Sequence, residues 1–327
     1  MFPYIFIFIY LGIFIVILVS IFTSKSKKVK INVEESEKYK NDAYKLIANN
    51  EKLSEQRKKH NFLSAIKGAL LIALFASFCF LHTLGYFAVY IIIAFAIILV
   101  ILIFKGEKDN VIFDEIIPSI LKDNYKDLKY DHKVGISSSI YREARFEGYD
   151  RYHSDDYMEG KVCGYDFIMS EVHTERRHTD KDGHTHYTTI FHGTFSKVTL
   201  DKSLDCFINI CNNRIKLFSR DKYITIDNEA FEKIYDVFTD DKIKAMRLLT
   251  PDVTSKMIDL YNETGIYCEV KIHNNLLYIR LYTGALFNFS FSNPEKEAIM
   301  VGKSLAVIDS VLKIMENFIK EIEEFDV

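Results

Sequence analysis

The chain has 327 residues, a net charge of −3 and no Trp, and 49% of its residues are hydrophobic. That length is ample for a buried core, and the charge balance supplies no basic field for a nucleic-acid partner. The five cysteines (Cys79, Cys163, Cys206, Cys211 and Cys268) are scattered and form no C-x-x-C pair. They exclude a disulfide framework and a zinc ribbon and suit a reducing compartment.

Residues 2–22 carry no charged side chain and are long enough to cross a hydrocarbon core of ~30 Å at ~1.5 Å per residue. The N-terminus lacks a basic n-region, and the run ends in Lys25, Lys27, Lys28 and Lys30. Residues 1–22 therefore read as a retained first transmembrane helix instead of a cleaved signal peptide. The segment 23–60 holds eleven Lys and Arg residues, with Val33, Tyr39, Ala43, Leu46, Ile47 and Leu53 at helical spacing. It reads as a charged, solvated helical linker. Residues 68–104 carry no Asp, Glu, Lys or Arg; as one helix they would run ~55 Å, so they are expected to fold back. The polar break His82-Thr83 before Gly85 divides 61–104 into spans at 62–81 and 85–104. Lys67 is near enough to one end to snorkel, and Tyr4, Tyr10, Tyr86 and Tyr90 supply interfacial aromatics. The lysine-rich flanks place the N-terminus outside and residues 105–327 in the cytoplasm. The expectation is a multi-pass protein of the cell membrane with the bilayer as a partner, and the sequons at Asn262 and Asn288 are then chance matches.

Beyond residue 105 the pattern predicts α+β: an antiparallel sheet of β-hairpins packed with helices and a long C-terminal helix. Asp109–Asn124 reads as a helix kinked near Pro118, and Ser137-Ser138-Ser139 can cap another running through Arg145. Strands at Lys161–Arg177 and His184–Leu200 flank a turn at Asp182-Gly183. Shorter strands follow near 204–211 and 222–238, then a helix from Asp241, and one from Thr250-Pro251 to Gly265. Ile266–His273 and Leu277–Leu281 alternate about Asn274-Asn275, pairing Cys268 with Leu281 and setting Glu269 opposite Arg280 on the wet face. The last helix starts at Asn293-Pro294 and carries Ala298, Val301, Leu305, Ile308, Leu312, Met315, Ile319 and Ile322. Val307, Val311, Ile314 and Phe318 widen that stripe, which favours packing across a sheet over a coiled coil.

Six of the ten histidines lie between His153 and His192. An Asp182-Gly183 turn sets His173 opposite His192, with His184, His186 and His192 on the same face, so these four imidazoles are the candidate ligands for a transition metal. No H-E-x-x-H is present and the hairpin tip 175–182 is intensely polar, so no cofactor is expected. Gly302-Lys303-Ser304 lacks the upstream glycine of a phosphate loop, and no G-x-S-x-G is present. Asp155-Asp156 and Asp240-Asp241 could serve as acid–base groups or cation ligands, but read as loop and capping residues. Cys163 and Cys268 read as core thiols of strands.

The stretch Gly160-Lys161-Val162-Cys163-Gly164-Tyr165-Asp166-Phe167, with Ser170-Glu171-Val172 and Ile190-Phe191-His192-Gly193-Thr194-Phe195, resembles the bacterial domain of unknown function 3137 family. So do Phe231-Glu232, Tyr235–Asp241, Ala245 and Leu248–Pro251. The similarity spans about residues 110 to 290. It implies anchoring by N-terminal spans and brings no catalytic residue with it. The expected function is a non-catalytic binding or assembly module at the cytoplasmic face, acting on a protein partner or on a second copy. The alternatives are a metal-dependent membrane enzyme using the histidine-rich hairpin and an accessory subunit of a membrane complex.

Overall fold

The computed structural model describes residues 33–79, 98, 111–125, 127–212, 222–287 and 289–324. Among the described residues no helix is long and apolar enough to cross a membrane. This corrects the expectation of an α+β domain preceded by transmembrane helices. The expected span 1–22 lies outside the described residues, and so does the arm 85–104 apart from Ile98. The arm expected at 62–81 is no separate element. Its described part continues helix α2 (Glu51–Cys79), which starts eleven residues earlier in the charged run Glu51–His60. Asn50 sets that start, because its side-chain oxygen accepts the Leu53 N–H at 2.9 Å and satisfies an orphan donor of the first turn.

Helix α1 (Val33–Ala48) precedes α2, and the helical spacing expected for it is present. Tyr39, Ala43 and Ile47 lie four residues apart and are buried, so this segment is packed instead of solvated. It packs along the C-terminal helix α8 (Pro294–Glu323). Gly302 of α8 makes the crossing close: a Cβ there would meet Ser36 O and Lys40 N at 2.8 Å. The Gly302-Lys303-Ser304 tripeptide is thus a helix-packing feature. Arg57 of α2 pairs with the fully buried Glu297 of α8 (3.1 Å) and donates to Ile47 O at 3.0 Å, fastening the α1–α2 corner.

The chain after 111 opens with a π-turn (Ile112–Ile116) continuing into α3 (Ile117–Asn124). Pro118 follows the turn directly; it lacks an N–H and its ring crowds the preceding turn, which is where the kink was expected. Among the described residues, nine antiparallel strands then make one sheet: β1 (Lys129–Asp131), β2 (Arg151–Val162), β3 (Tyr165–Thr179), β4 (Thr185–Thr199), β5 (Phe207–Asn212), β6 (Lys222–Ile224), β7 (Tyr235–Thr239), β8 (Cys268–His273) and β9 (Leu276–Leu281). Their order is β1-β2-β3-β4-β9-β8-β5-β7-β6. Four short or medium helices complete the described residues: α4 (Ser138–Glu143), α5 (Glu229–Glu232), α6 (Lys242–Leu248) and α7 (Pro251–Thr264). The expected caps are in place: Ser137, Asp241, Thr250 and Asn293 each accept a backbone N–H, and Gly265 ends α7 at φ +73°.

Period-two alternation separates the two sheet faces. One face presents Phe167, Met169, Val198, Ile279, Leu281, Val270 and Ile272, all buried. Helix α8 crosses the sheet, touching β2 and β9, with its own Val301, Leu305, Ile308, Leu312, Met315 and Ile319 buried. The other face carries Val172, Phe191, Phe195 and Tyr278 and is covered by Ile136, Tyr141 and Ala144. That cover overturns one expectation. Glu269 and Arg280 are opposite each other as predicted, yet each is only 1% exposed, so the face read as wet is buried. Charge compensation between the two makes the burial possible. Cys163 is a second correction: it is exposed and sits in the β2–β3 turn at φ +50°, not in a strand core.

Candidate functional site

The β3–β4 register follows the expectation at His173↔His192, but a bulge at Thr174/Glu175 shifts it, so that Glu175 pairs with Thr189 and His178 with His186. One extra residue in β4 inverts the alternation beyond it. His173 and His192 stack on one face at 4.5 Å, and His178 and His186 stack at 5.3 Å on the opposite face. His184 is in the turn, beside Asp180 Oδ2 at 3.4 Å. The four imidazoles expected to share a metal (His173, His184, His186 and His192) are therefore divided among three places. At the tip, Asp180, Asp182 and His184 are near one another and all exposed. Asp180 Oδ1 already accepts the Asp182 and His184 N–H groups at 3.0 and 2.8 Å, which accounts for it as a turn former.

The polar convergence that sequence reading assigned to a loop lies on β2. Its partner register jumps between Asp155 (opposite Glu171) and Met158 (opposite Met169), which leaves one extra residue on β2. Asp156 occupies this bulge at φ +52°. The result brings carboxylate oxygens of Asp155, Asp156 and Glu171 within 4.8 Å of one another. Glu171 Oε1 accepts from His192 Nε2 at 2.9 Å, and His153 Nε2 is 3.4 Å from Asp155 Oδ2. Tyr130 of β1 donates to Asp156 Oδ1 at 2.6 Å. Asp155 Oδ1 is buried without a hydrogen-bond partner among the described residues.

The electrostatics are adverse. Two carboxylates ~4–5 Å apart repel by roughly 3–4 kcal/mol at an effective dielectric constant of ~20. Among the described residues, Asp155 and Glu171 have imidazoles as ion-pair partners, with no Lys or Arg, and Asp156 holds the Tyr130 hydroxyl. Burial pushes the Asp156 carboxyl up to about 7; the Tyr130 hydrogen bond opposes this, while the charges of Asp155 and Glu171 add to it. Asp155 is also raised, by burial first and then by Glu171. His173 is held below its ordinary value by burial and by the neighbouring His192. An electron-rich oxygen cluster with one nitrogen donor beside it can hold a hard or borderline divalent cation, or share protons.

Nearby, an open groove of about 850 Å³ is lined by Lys122, Lys129, Tyr130, Glu159, Phe167 and Ile168, among others. Tyr130 borders this groove and bonds Asp156. On the opposite sheet face, Arg280 is enclosed by Glu269, a two-pronged bond to Glu147 (2.6 and 2.7 Å) and the Phe146 ring at 4.0 Å. That arrangement closes the 134–150 segment onto the sheet and leaves every guanidinium nitrogen engaged.

The fold and site define an antiparallel α+β domain with a carboxylate–imidazole cluster at a strand bulge. The family model described as "Protein of unknown function (DUF3137)" matches residues 189–325. The match runs from within β4 through α8; the similarity read at Gly160–Val172, which includes Glu171, lies before it. No curated protein matches the chain. Among solved structures, the chain is similar to the crystal structure of the mycobacterial trehalose monomycolate transport factor A, TtfA. That likeness has 8% identity and a TM-score of 0.31, and covers 56% of this chain and 86% of that one.

Proposed function

We propose that the chain is a non-catalytic binding module whose ligand is a divalent cation, held by Asp155, Asp156 and Glu171. The observation that carries this reading is the convergence of three carboxylates within 4.8 Å, with no Lys or Arg paired to them among the described residues. A cation would offset the repulsion between them and satisfy Asp155 Oδ1. Donors on opposite sides of a calcium-sized ion lie about 5 Å apart, so the oxygens need little movement. The donor set suits Ca²⁺, Mn²⁺ or Mg²⁺ better than the all-imidazole site expected from the hairpin. Both oxygens of Glu171 also serve the fold, bonding His192 and Leu286, which suits holding an ion more than turning over a substrate.

Equilibrium dialysis of the full-length chain against Mn²⁺ tests this. One ion per chain is expected, with affinity at least ~10-fold weaker in the Asp155→Asn/Glu171→Gln double variant. Absence of binding, or equal binding by the double variant, contradicts the proposal.

A further inference from the structure

We infer that Glu171 couples the cation site to the connection between β9 and α8, so that occupancy governs the order of residues 282–292; this rests on the cation reading above. The two oxygens of Glu171 face different structures. Oε1 accepts from His192 in the candidate site, while Oε2 accepts the backbone N–H of Leu286 at 2.6 Å. His192 reaches the same connection through its backbone, since its carbonyl accepts the Gly284 N–H at 3.1 Å. A third link runs through Asp156: the ring of Tyr130, whose hydroxyl holds Asp156, packs edge-on against Phe287 at 5.6 Å. Glu171 thus bonds Leu286 directly, its partner His192 bonds Gly284, and Asp156 is linked to Phe287 through Tyr130.

That stretch is fastened downstream as well. Leu286 O accepts from Ser304 of α8 at 2.5 Å, and the connection ends at the Asn293 cap of α8. Glu297, one turn on, holds the Ser292 N–H at 3.0 Å and the Arg57 guanidinium of α2. Without a cation, the ligands repel one another and the Leu286 anchor is an acid under electrostatic stress. With a cation at Oε1, Glu171 is fixed in place while Oε2 still faces Leu286, and the connection tightens. Glu171 acts here as a positioning residue between ligand and backbone.

Amide hydrogen exchange of the full-length chain, with and without Mn²⁺, tests the coupling alongside dialysis on the same samples. In the wild type, Mn²⁺ should slow exchange across 282–292 at least ~10-fold while α7 changes little. Glu171→Gln keeps a carbonyl oxygen for Leu286 and loses the charge. It should exchange like the ion-free wild type at 282–292 while binding Mn²⁺ at least ~10-fold more weakly. Glu171→Ala should raise ion-free exchange there, whereas Asp155→Ala should not. Ion binding without slowed exchange at 282–292 overturns the coupling and leaves the cation site standing. Unchanged ion-free exchange in Glu171→Ala also overturns it, whatever the ion does. Absence of ion binding removes both proposals.

Discussion

Arg280 and Glu269 are directly opposite each other on β9 and β8, each 1% exposed, with their side chains joined under the 134–150 segment. Glu147 closes the other side of the guanidinium and Tyr141 contributes its hydroxyl at 3.2 Å. One buried cation thus serves two carboxylates, and burial next to it pushes Lys271 down to about 8, with the Arg280 charge adding.

Removing that cation strands two acids. Arg280→Met should cost about 3–5 kcal/mol, because Glu269 is left buried and uncompensated. Adding Glu269→Leu to it should recover a substantial part of the loss, since replacing both partners by apolar groups removes the unpaired charge. Urea denaturation of the single and double variants measures this; a single variant within about 1 kcal/mol of wild type contradicts it.

The crossing of α1 over α8 depends on Gly302, where any side chain meets the α1 backbone at 2.8 Å. Gly302→Val should destabilise by about 2 kcal/mol or more by forcing the helices apart. Exchange at Tyr39, Ala43 and Ile47 should rise while that of β8 does not. Gly193 is a second such position, since a Cβ there would lie 1.9 Å from Leu281 O; Gly193→Ala should disrupt β4–β9 pairing by a comparable amount, measured the same way.

The Asp156 carboxyl is at about 7 in the folded chain and returns to about 4 when unfolded. The folded state therefore holds the extra proton between those values, and the stability contributed by this group falls as pH rises from about 4 to about 7. Asp156→Asn keeps an oxygen for Tyr130 and removes the charge. In chelator-treated buffer it should be roughly 4 kcal/mol more stable than wild type at pH 8 and within about 1 kcal/mol of it at pH 4.5. A variant that is less stable at pH 8 contradicts this account of the site.

The hairpin β8–β9, the caps of α7 and α8 and the His173↔His192 pairing were legible because each joins a local turn or cap signal to an apolar periodicity. Asn274, for example, sits at φ +56° in the turn, as a two-residue hairpin requires. Strand β2 was not legible: Arg151–Val162 is mostly charged or polar, and its alternation is broken by the bulge at Asp156. The site was lost with it, since Asp155 and Asp156 converge on Glu171 only through that bulge. Glu269 and Arg280 read as a wet face because pattern records polarity, whereas their burial follows from Tyr141 and Glu147, which are 139 and 133 residues from Arg280 in sequence. In the histidine hairpin, one bulged residue was enough to send His186 to the face opposite His192.

The central claim is that a cation belongs at the β2 bulge. Crystals of the full-length chain grown with Mn²⁺ and measured at the manganese absorption edge locate the ion directly. The account predicts one anomalous peak about 2.2 Å from oxygens of Asp155, Asp156 and Glu171. A peak at Asp180, Asp182 and His184 instead, or no ordered manganese at the bulge, would contradict it.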